Sequence, residues 1–198
     1  MERPPLVCCY YTTDAYIIEA ARLRDSVDRL KLEAKFTPIS NLASWSHAVM
    51  FKPEFIQTSL INARGRNVLY VDADAEFKGV PDWSIFNGVD MSWHLFQRTR
   101  NHSNENLTGT MFFRNSVDVI TFLNAWRMRT RDYAWSSTPE QESLKDEWAD
   151  RKWKERLIFR DLPPELVFIF DDFKERYPKV EPVILHHQAS RRLRHNKA

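Results

Sequence analysis

Apolar positions along this chain change their period at intervals, and those changes define the elements. Leu6 to Thr12 is a continuous apolar, β-prone run that predicts a buried strand. Behind it Asp14 is placed to cap a helix whose apolar stripe is Ile17, Ala20, Leu23, Val27 and Leu30. Lys35 to Ile39 reads as a second strand. Pro53 opens another helix, with Ile56, Leu60 and Ala63 on one face and Gly65 as its stop. Asn67 to Val71 is a third strand. Strand and helix thus alternate, which predicts an α/β fold with a parallel sheet and helices on its faces. Ligands bind such sheets at the carboxyl ends of the strands.

The second half is less regular. Val89 to Phe96 and Thr110 to Arg114 are expected strands, separated by a polar loop from Arg98 to Asn106. Ser116 begins a helix carrying Val119, Ile120, Leu123 and Trp126. Thr138 is placed to cap another, with Pro139 at its first position and Gln141 spaced for a capping box. The charged stretch Glu142 to Arg156 is expected on the surface. Val167 to Phe170 and Val183 to Leu185 are expected short strands. No repeat, linker or low-complexity segment interrupts the 198 residues, so one domain over residues 1–198 is expected.

Composition narrows the picture further. Hydrophobic residues make up 43% and charged residues 28%, a globular rather than a disordered balance. The formal net charge of +2 is too small to indicate nucleic acid by itself. Its distribution says more, because Arg191, Arg192, Arg194 and Lys197 crowd the C-terminal stretch without an acidic residue. Cys8 and Cys9 are adjacent, so on a strand they point to opposite faces, against a disulfide or shared metal site. Buried thiols in a reducing compartment are expected. With no signal sequence and no apolar run of membrane-spanning length, the expected location is cytoplasmic (the host cytoplasm for a viral chain), with no membrane and no protein partner.

The chemistry centres on Tyr70-Val71-Asp72-Ala73-Asp74. Two carboxylates separated by one small residue, just past a buried strand, can reach a common ligand if the backbone turns there. Hard oxygen donors of this kind suit Mg²⁺ or Mn²⁺, which also take oxygens from a bound phosphate. The alternative is a strand followed by an acidic turn. Near the other end stands Val183-Ile184-Leu185-His186-His187, followed by Arg191 and Arg192. A His directly after a strand can be a third metal ligand, with the arginines on phosphate. The alternative for that pair is a side chain that meets solvent or has its hydrogen bonds satisfied within the fold.

A first strand ending Tyr10-Tyr11-Thr12-Thr13, the Asp72-Ala73-Asp74 signature and a late strand followed by His together resemble a GT-A glycosyltransferase. The nearest relatives are the nucleotide-diphospho-sugar transferases similar to glycosyltransferase family 8. The resemblance implies a Rossmann-like GT-A fold, with a mixed, mainly parallel sheet flanked by helices. It implies transfer of a sugar from a nucleotide-diphosphate donor, a UDP-sugar, to an acceptor hydroxyl with Mn²⁺ or Mg²⁺. Carried over residue by residue, Asp72 contacts ribose or metal and Asp74 ligates metal. His186 completes the metal site, with His187 as the other choice, and Arg191 or Arg192 holds the diphosphate. Tyr10, Tyr11 and Thr12 line the base pocket, Lys52 contacts donor phosphate, and Ala73 and Gly109 belong to the donor site. The strand Gly109 to Asn115 runs under the donor sugar, although Leu107-Thr108-Gly109 replaces the usual Asn-Ser-Gly. Glu140-Gln141 resembles the family's Asp-Gln pair beside the anomeric carbon, which favours retention. Asp171 and Asp172 are the base candidates for inversion.

The acceptor is a separate question. Enzymes of this kind encoded by bacteriophages glycosylate hydroxymethylated pyrimidines in DNA, and the basic tail with Arg98 and Arg100 could hold its phosphates. A small sugar or glycan is the alternative acceptor. A haloacid dehalogenase-like phosphatase would also place Asp-x-Asp after a strand, with Phe168-Ile169-Phe170-Asp171-Asp172 as its second site. Glu76 stands where that pattern expects Thr or Val. A non-enzymatic nucleic-acid-binding module would leave the aspartate pair without a role.

Overall fold

The computed structural model describes residues 3–12, 16–40, 44–97 and 104–189, with the backbone alone at residues 170–172. The first half contains β1 (Leu6–Thr12), α1 (Ile17–Arg29), β2 (Ala34–Ile39), α2 (Trp45–Met50), α3 (Lys52–Asn62), β3 (Val68–Val71), β4 (Ala75–Phe77) and β5 (Met91–Phe96). The second contains β6 (Glu105–Phe113), α4 (Val117–Thr130), α5 (Pro139–Ala149), α6 (Arg151–Lys154), β7 (Phe159–Asp161), β8 (Phe168–Ile169), α7 (Phe170–Arg176) and β9 (Ile184–His186). Six strands form a mixed sheet in the order β2-β1-β3-β6-β5-β7. β6 is antiparallel to both of its neighbours and every other adjacent pair is parallel. A smaller sheet has the order β4-β9-β8. The expected mainly parallel α/β architecture is therefore the observed one.

Strand alternation sorts the core onto the two faces of the large sheet. Val7, Cys9, Leu69, Val71 and Phe112 pack with Ala20, Leu23 and Val27 of α1 and with Phe77 and Ile184 of the small sheet. Cys8, Tyr10, Val68, Tyr70, Met111 and Phe113 pack with Ile56 and Leu60 of α3, Phe122 and Trp126 of α4 and Leu144 of α5. The two cysteines are buried and unbridged on opposite faces. No helix among the described residues is long and apolar enough to cross a membrane.

Several expectations change. Ile17 is 54% exposed, because at 3.6 residues per turn it lies about 90° from the mean direction of Ala20, Leu23 and Val27. Asp14 lies outside the described residues. α2 was not anticipated; Ser44 starts it by accepting from the His47 amide at 3.3 Å. Glu105 and Asn106 belong to β6 and not to a loop. Ser116 caps α4 as expected, accepting from the Val119 amide at 3.3 Å, but Thr138 makes no side-chain cap bond on α5. Its ψ of 59° departs from an extended N-cap conformation, and its amide donates to Ser136 Oγ at 2.9 Å. The stretch Glu142 to Arg156 is not all surface: Ser143, Leu144, Glu147 and Trp153 are buried. Glu147 is held there by Arg129 Nε and Trp153 Nε1, each at 2.6 Å. Phe170 begins a helix where a strand was expected.

Candidate active site

The aspartate pair sits where the chain passes from the large sheet to the small one. The Asp72 amide donates to the Gly109 carbonyl at 2.7 Å, extending the β3–β6 ladder by one bond. The Ala75 amide then donates back to the Asp72 carbonyl at 3.1 Å, a tight turn that sends the chain into β4. Ala73 is 6% exposed and packs into the core, so only a small side chain fits between the two carboxylates. β4 pairs with β9 so that Ala75 faces His186. That register carries a residue from the far end of the sequence to Asp74. His186 Nδ1 lies 3.6 Å from Asp74 Oδ1, and its Nε2 is hydrogen-bonded to Thr110 Oγ1 at 2.8 Å.

Asp74 is held from two further sides. Its Oδ2 accepts from the Ala189 amide at 2.9 Å, and its carbonyl accepts from the His187 amide at 3.0 Å. Burial is the largest influence on its carboxyl and opposes ionisation. The hydrogen bond and charge of His186, the Ala189 amide and Lys52 outweigh it and hold the carboxyl below its ordinary value. His187 points elsewhere, with Nε2 3.0 Å from Glu76 Oε2.

Asp72 is fixed by Lys52 and Tyr70. Lys52 is 2% exposed at the start of α3, an end where the helix dipole disfavours a cation. Its ammonium is satisfied by Asp72 Oδ1 at 3.0 Å, the Thr108 carbonyl at 3.1 Å and Thr108 Oγ1 at 3.2 Å. It also stands 5.2 Å from the centre of the Tyr70 ring. Tyr70 Oη donates to Asp72 Oδ1 at 2.5 Å. Glycine is needed opposite: a Cβ at Gly109 would lie 3.0 Å from His186 Cε1 and 3.5 Å from Asp72 Oδ2.

These groups line a cavity of about 630 Å³. Tyr11, Thr12 and Tyr16 wall it at the end of β1, and Trp45 and Val49 of α2 stand at its edge. Tyr10 also lines it but is largely core, packed against Phe51, Phe55 and Tyr70 with its hydroxyl donating to the Ala48 carbonyl at 2.7 Å. Glu140 and Gln141 enter from the first turn of α5. Trp126 of α4 anchors that turn by donating to the Glu140 carbonyl at 3.2 Å. Glu140 is 4% exposed; its Oε1 accepts from Thr108 Oγ1 at 3.4 Å, while its Oε2 has no partner among the described residues. Burial pushes its carboxyl up, with the Lys52 ammonium opposing.

A family model of nucleotide-diphospho-sugar transferases matches residues 36–197. The chain belongs to the nucleotide-diphospho-sugar transferase family. This transferase also shares its fold with a crystal structure of a glycosyltransferase involved in the glycosylation of the major capsid of PBCV-1. The two are 14% identical, with a TM-score of 0.71 over 99% of this chain and 100% of that one. No curated protein matches the sequence.

In this transferase the fold gathers Asp72, Ala73, Asp74, Gly109, Lys52, Glu140, Gln141, Tyr10, Tyr11, Thr12 and His186 around one cavity. Arg191, Arg192, Arg98 and Arg100 lie outside the described residues, and so do the side chains of Asp171 and Asp172, whose backbone is in the first turn of α7. Trp45 was not singled out from the sequence, and Thr108 and Thr110 entered only as neighbours of Gly109 on the donor-sugar strand. Thr108 and Thr110 alternate with Gly109 along β6, so the strand period could have found them. The donors able to hold a divalent cation are the carboxylates of Asp72 and Asp74 and the imidazole of His186. Among the described residues no three such groups form a metal cage by themselves. Their chemistry fits a hard cation bound by one or two carboxylates and completed by substrate phosphate.

Proposed function

We propose that residues 1–198 act as one catalytic domain that transfers a sugar from a UDP-sugar to an acceptor hydroxyl, with Mn²⁺ or Mg²⁺ held by Asp72, Asp74 and His186. The observation that carries this reading is the meeting of β3 and β9 at one cavity, where Asp74 and His186 lie 3.6 Å apart. When bound, the cation would offset the negative charge that develops on the departing diphosphate. Lys52 and Tyr70 fix Asp72 from behind. Tyr11, Thr12 and Tyr16 offer ring and hydroxyl groups to the base and ribose. The Oε2 of Glu140, without a partner among the described residues, is the atom we assign to a hydrogen bond with a hydroxyl of the donor sugar. Glu140 and Gln141 on the cavity wall, matching the pair that the resemblance puts beside the anomeric carbon, support a retaining reaction.

A saccharide hydroxyl is the acceptor this reading favours. The rim of the cavity carries Glu105, Glu142 and Lys145, a mixed set suited to a neutral polyhydroxyl partner. Hydroxymethylated DNA is supported by arginines outside the described residues. The deciding experiment follows UDP-sugar and other nucleotide-sugar turnover with and without Mn²⁺, in the natural chain and in Asp74→Asn. Turnover is expected to depend on the ion and to vanish in the variant; undiminished turnover in Asp74→Asn refutes the metal role. Mass analysis of plain and hydroxymethylated DNA offered as acceptors checks the alternative, and a sugar adduct on DNA would overturn the saccharide assignment.

A further inference from the structure

Trp135 is 81% exposed, the largest exposure among the large apolar side chains of the described residues. Single exposed apolar residues are ordinary, but this one is held in place. Its Nε1 donates to the Asp132 carbonyl at 2.9 Å, so its only polar atom is used internally and the ring faces are what it offers to solvent. Its ring lies nearly parallel to Tyr133, with centroids 6.1 Å apart and planes 24° apart. Tyr133 is fixed in turn, its hydroxyl donating to Asp146 of α5. Ordering two aromatic rings in water gains little for folding, whereas it lowers the entropy cost of binding a flat apolar face.

The platform adjoins the cavity. Trp135 is three residues from Thr138, which lines it, so their Cα atoms are at most about 11 Å apart. The intervening chain is set by Ser136, whose amide donates to the Tyr133 carbonyl and whose hydroxyl accepts from the Thr138 amide, both at 2.9 Å. Asp146, the anchor of Tyr133, is one helical turn beyond Glu142 on the cavity rim. Charge decides the partner. The exposed charges around the platform are Arg131 and Lys145 against Asp132, Glu142 and Asp146, with the neighbouring Arg129 paired to the buried Glu147. A surface so close to neutrality gives a phosphate backbone little to hold, while carboxylates and aromatic faces suit the hydroxyls and C–H faces of sugars.

We infer that Trp135 and Tyr133 stack the distal unit of a saccharide acceptor of two or more residues whose reacting end lies in the cavity. This rests on the sugar-transfer reading above, with a saccharide as acceptor. The test measures KM for glucose, mannose and N-acetylglucosamine and for their linear trisaccharides, in the natural chain, Trp135→Ser and Trp135→Tyr. At least one trisaccharide is expected to have a KM about tenfold below that of its monosaccharide. Trp135→Ser should abolish that advantage with kcat little changed, and Trp135→Tyr should restore most of it. In parallel, the Trp135 indole resonance, identified by its loss in Trp135→Tyr, should shift on adding the trisaccharide and not the monosaccharide. Equal KM values across chain length, or a length advantage that survives in Trp135→Ser, would overturn the platform while leaving sugar transfer standing. A chain that turns over no nucleotide-sugar would instead refute the parent reading. The platform would then be judged on the indole shift alone, with a shift caused by hydroxymethylated DNA and by no saccharide also overturning it.

Discussion

Gly109→Ala tests the arrangement of the site without deleting any of its functional groups. Gly109 is not among the left-handed glycines of the chain, so alanine is allowed by the backbone. The new Cβ would stand 3.0 Å from His186 Cε1 and 3.2 Å from Nδ1, forcing a buried ring to yield by a few tenths of an ångström. The ring cannot yield freely, being tied to Thr110 at 2.8 Å and flanked by Asp74 at 3.6 Å. A displaced rotamer costs about 0.5–1.5 kcal/mol and a weakened hydrogen bond about 1 kcal/mol. Reduced freedom of the unfolded chain returns about 0.4–1 kcal/mol. Net stability should therefore fall by only about 1 kcal/mol, as read by urea denaturation. Mn²⁺ affinity should suffer more, because misorienting a ligand typically costs about 10–100-fold. The assay titrates Mn²⁺ against UDP-sugar turnover, with Gly79→Ala as the control, since a Cβ there meets nothing within 4 Å. A Gly109→Ala protein that saturates at the natural Mn²⁺ concentration would refute the assignment of His186.

Other perturbations read other parts of the site. His186→Ala should weaken Mn²⁺ dependence more than His187→Ala, because His187 is engaged with Glu76; the reverse order in the same titration would move the ligand by one residue. Lys52→Met should destabilise the fold by about 3 kcal/mol, towards the low end for a broken buried pair because the Asp72 side chain is 35% exposed; a loss below about 1 kcal/mol in urea melts would refute its anchoring role. Burial raises the Glu140 carboxyl above its ordinary 4.5, so its contribution to stability is full below that value and lost as pH rises through the folded pKa. Glu140→Gln should consequently gain stability relative to the natural chain as pH rises above 4.5, and a pH-independent difference in thermal melts would contradict the burial argument.

The sequence and the structure divide the explanation unevenly. β1 and β2 were legible because each is a short β-prone run, and α3 because Pro53, its buried stripe and Gly65 agree on one element. The Asp72-Ala73-Asp74 motif was legible for a local reason: it immediately follows a strand buried on both faces, where a turn must occur. Tyr70 shares the face of Asp72 by strand alternation, so its hydrogen bond to that carboxylate was readable too. The stretch from Glu142 to Arg156 misled because its charge count hid a face carrying Ser143, Leu144 and Glu147, buried against α4.

What the sequence determined by itself was the periodicity of the elements, the α/β class and the presence of an aspartate pair at a strand end. The tertiary structure alone decided which residues meet there. The resemblance puts Lys52 on donor phosphate, and only the packing of α3 against β3 and β1 brings its ammonium between Asp72 and Thr108. His186 and His187 are equivalent as letters. The β4–β9 register, set by which face of the small sheet is buried, turns one to Asp74 and the other to Glu76. A one-residue choice of that kind rests on long-range pairing, and no local pattern of residues encodes it.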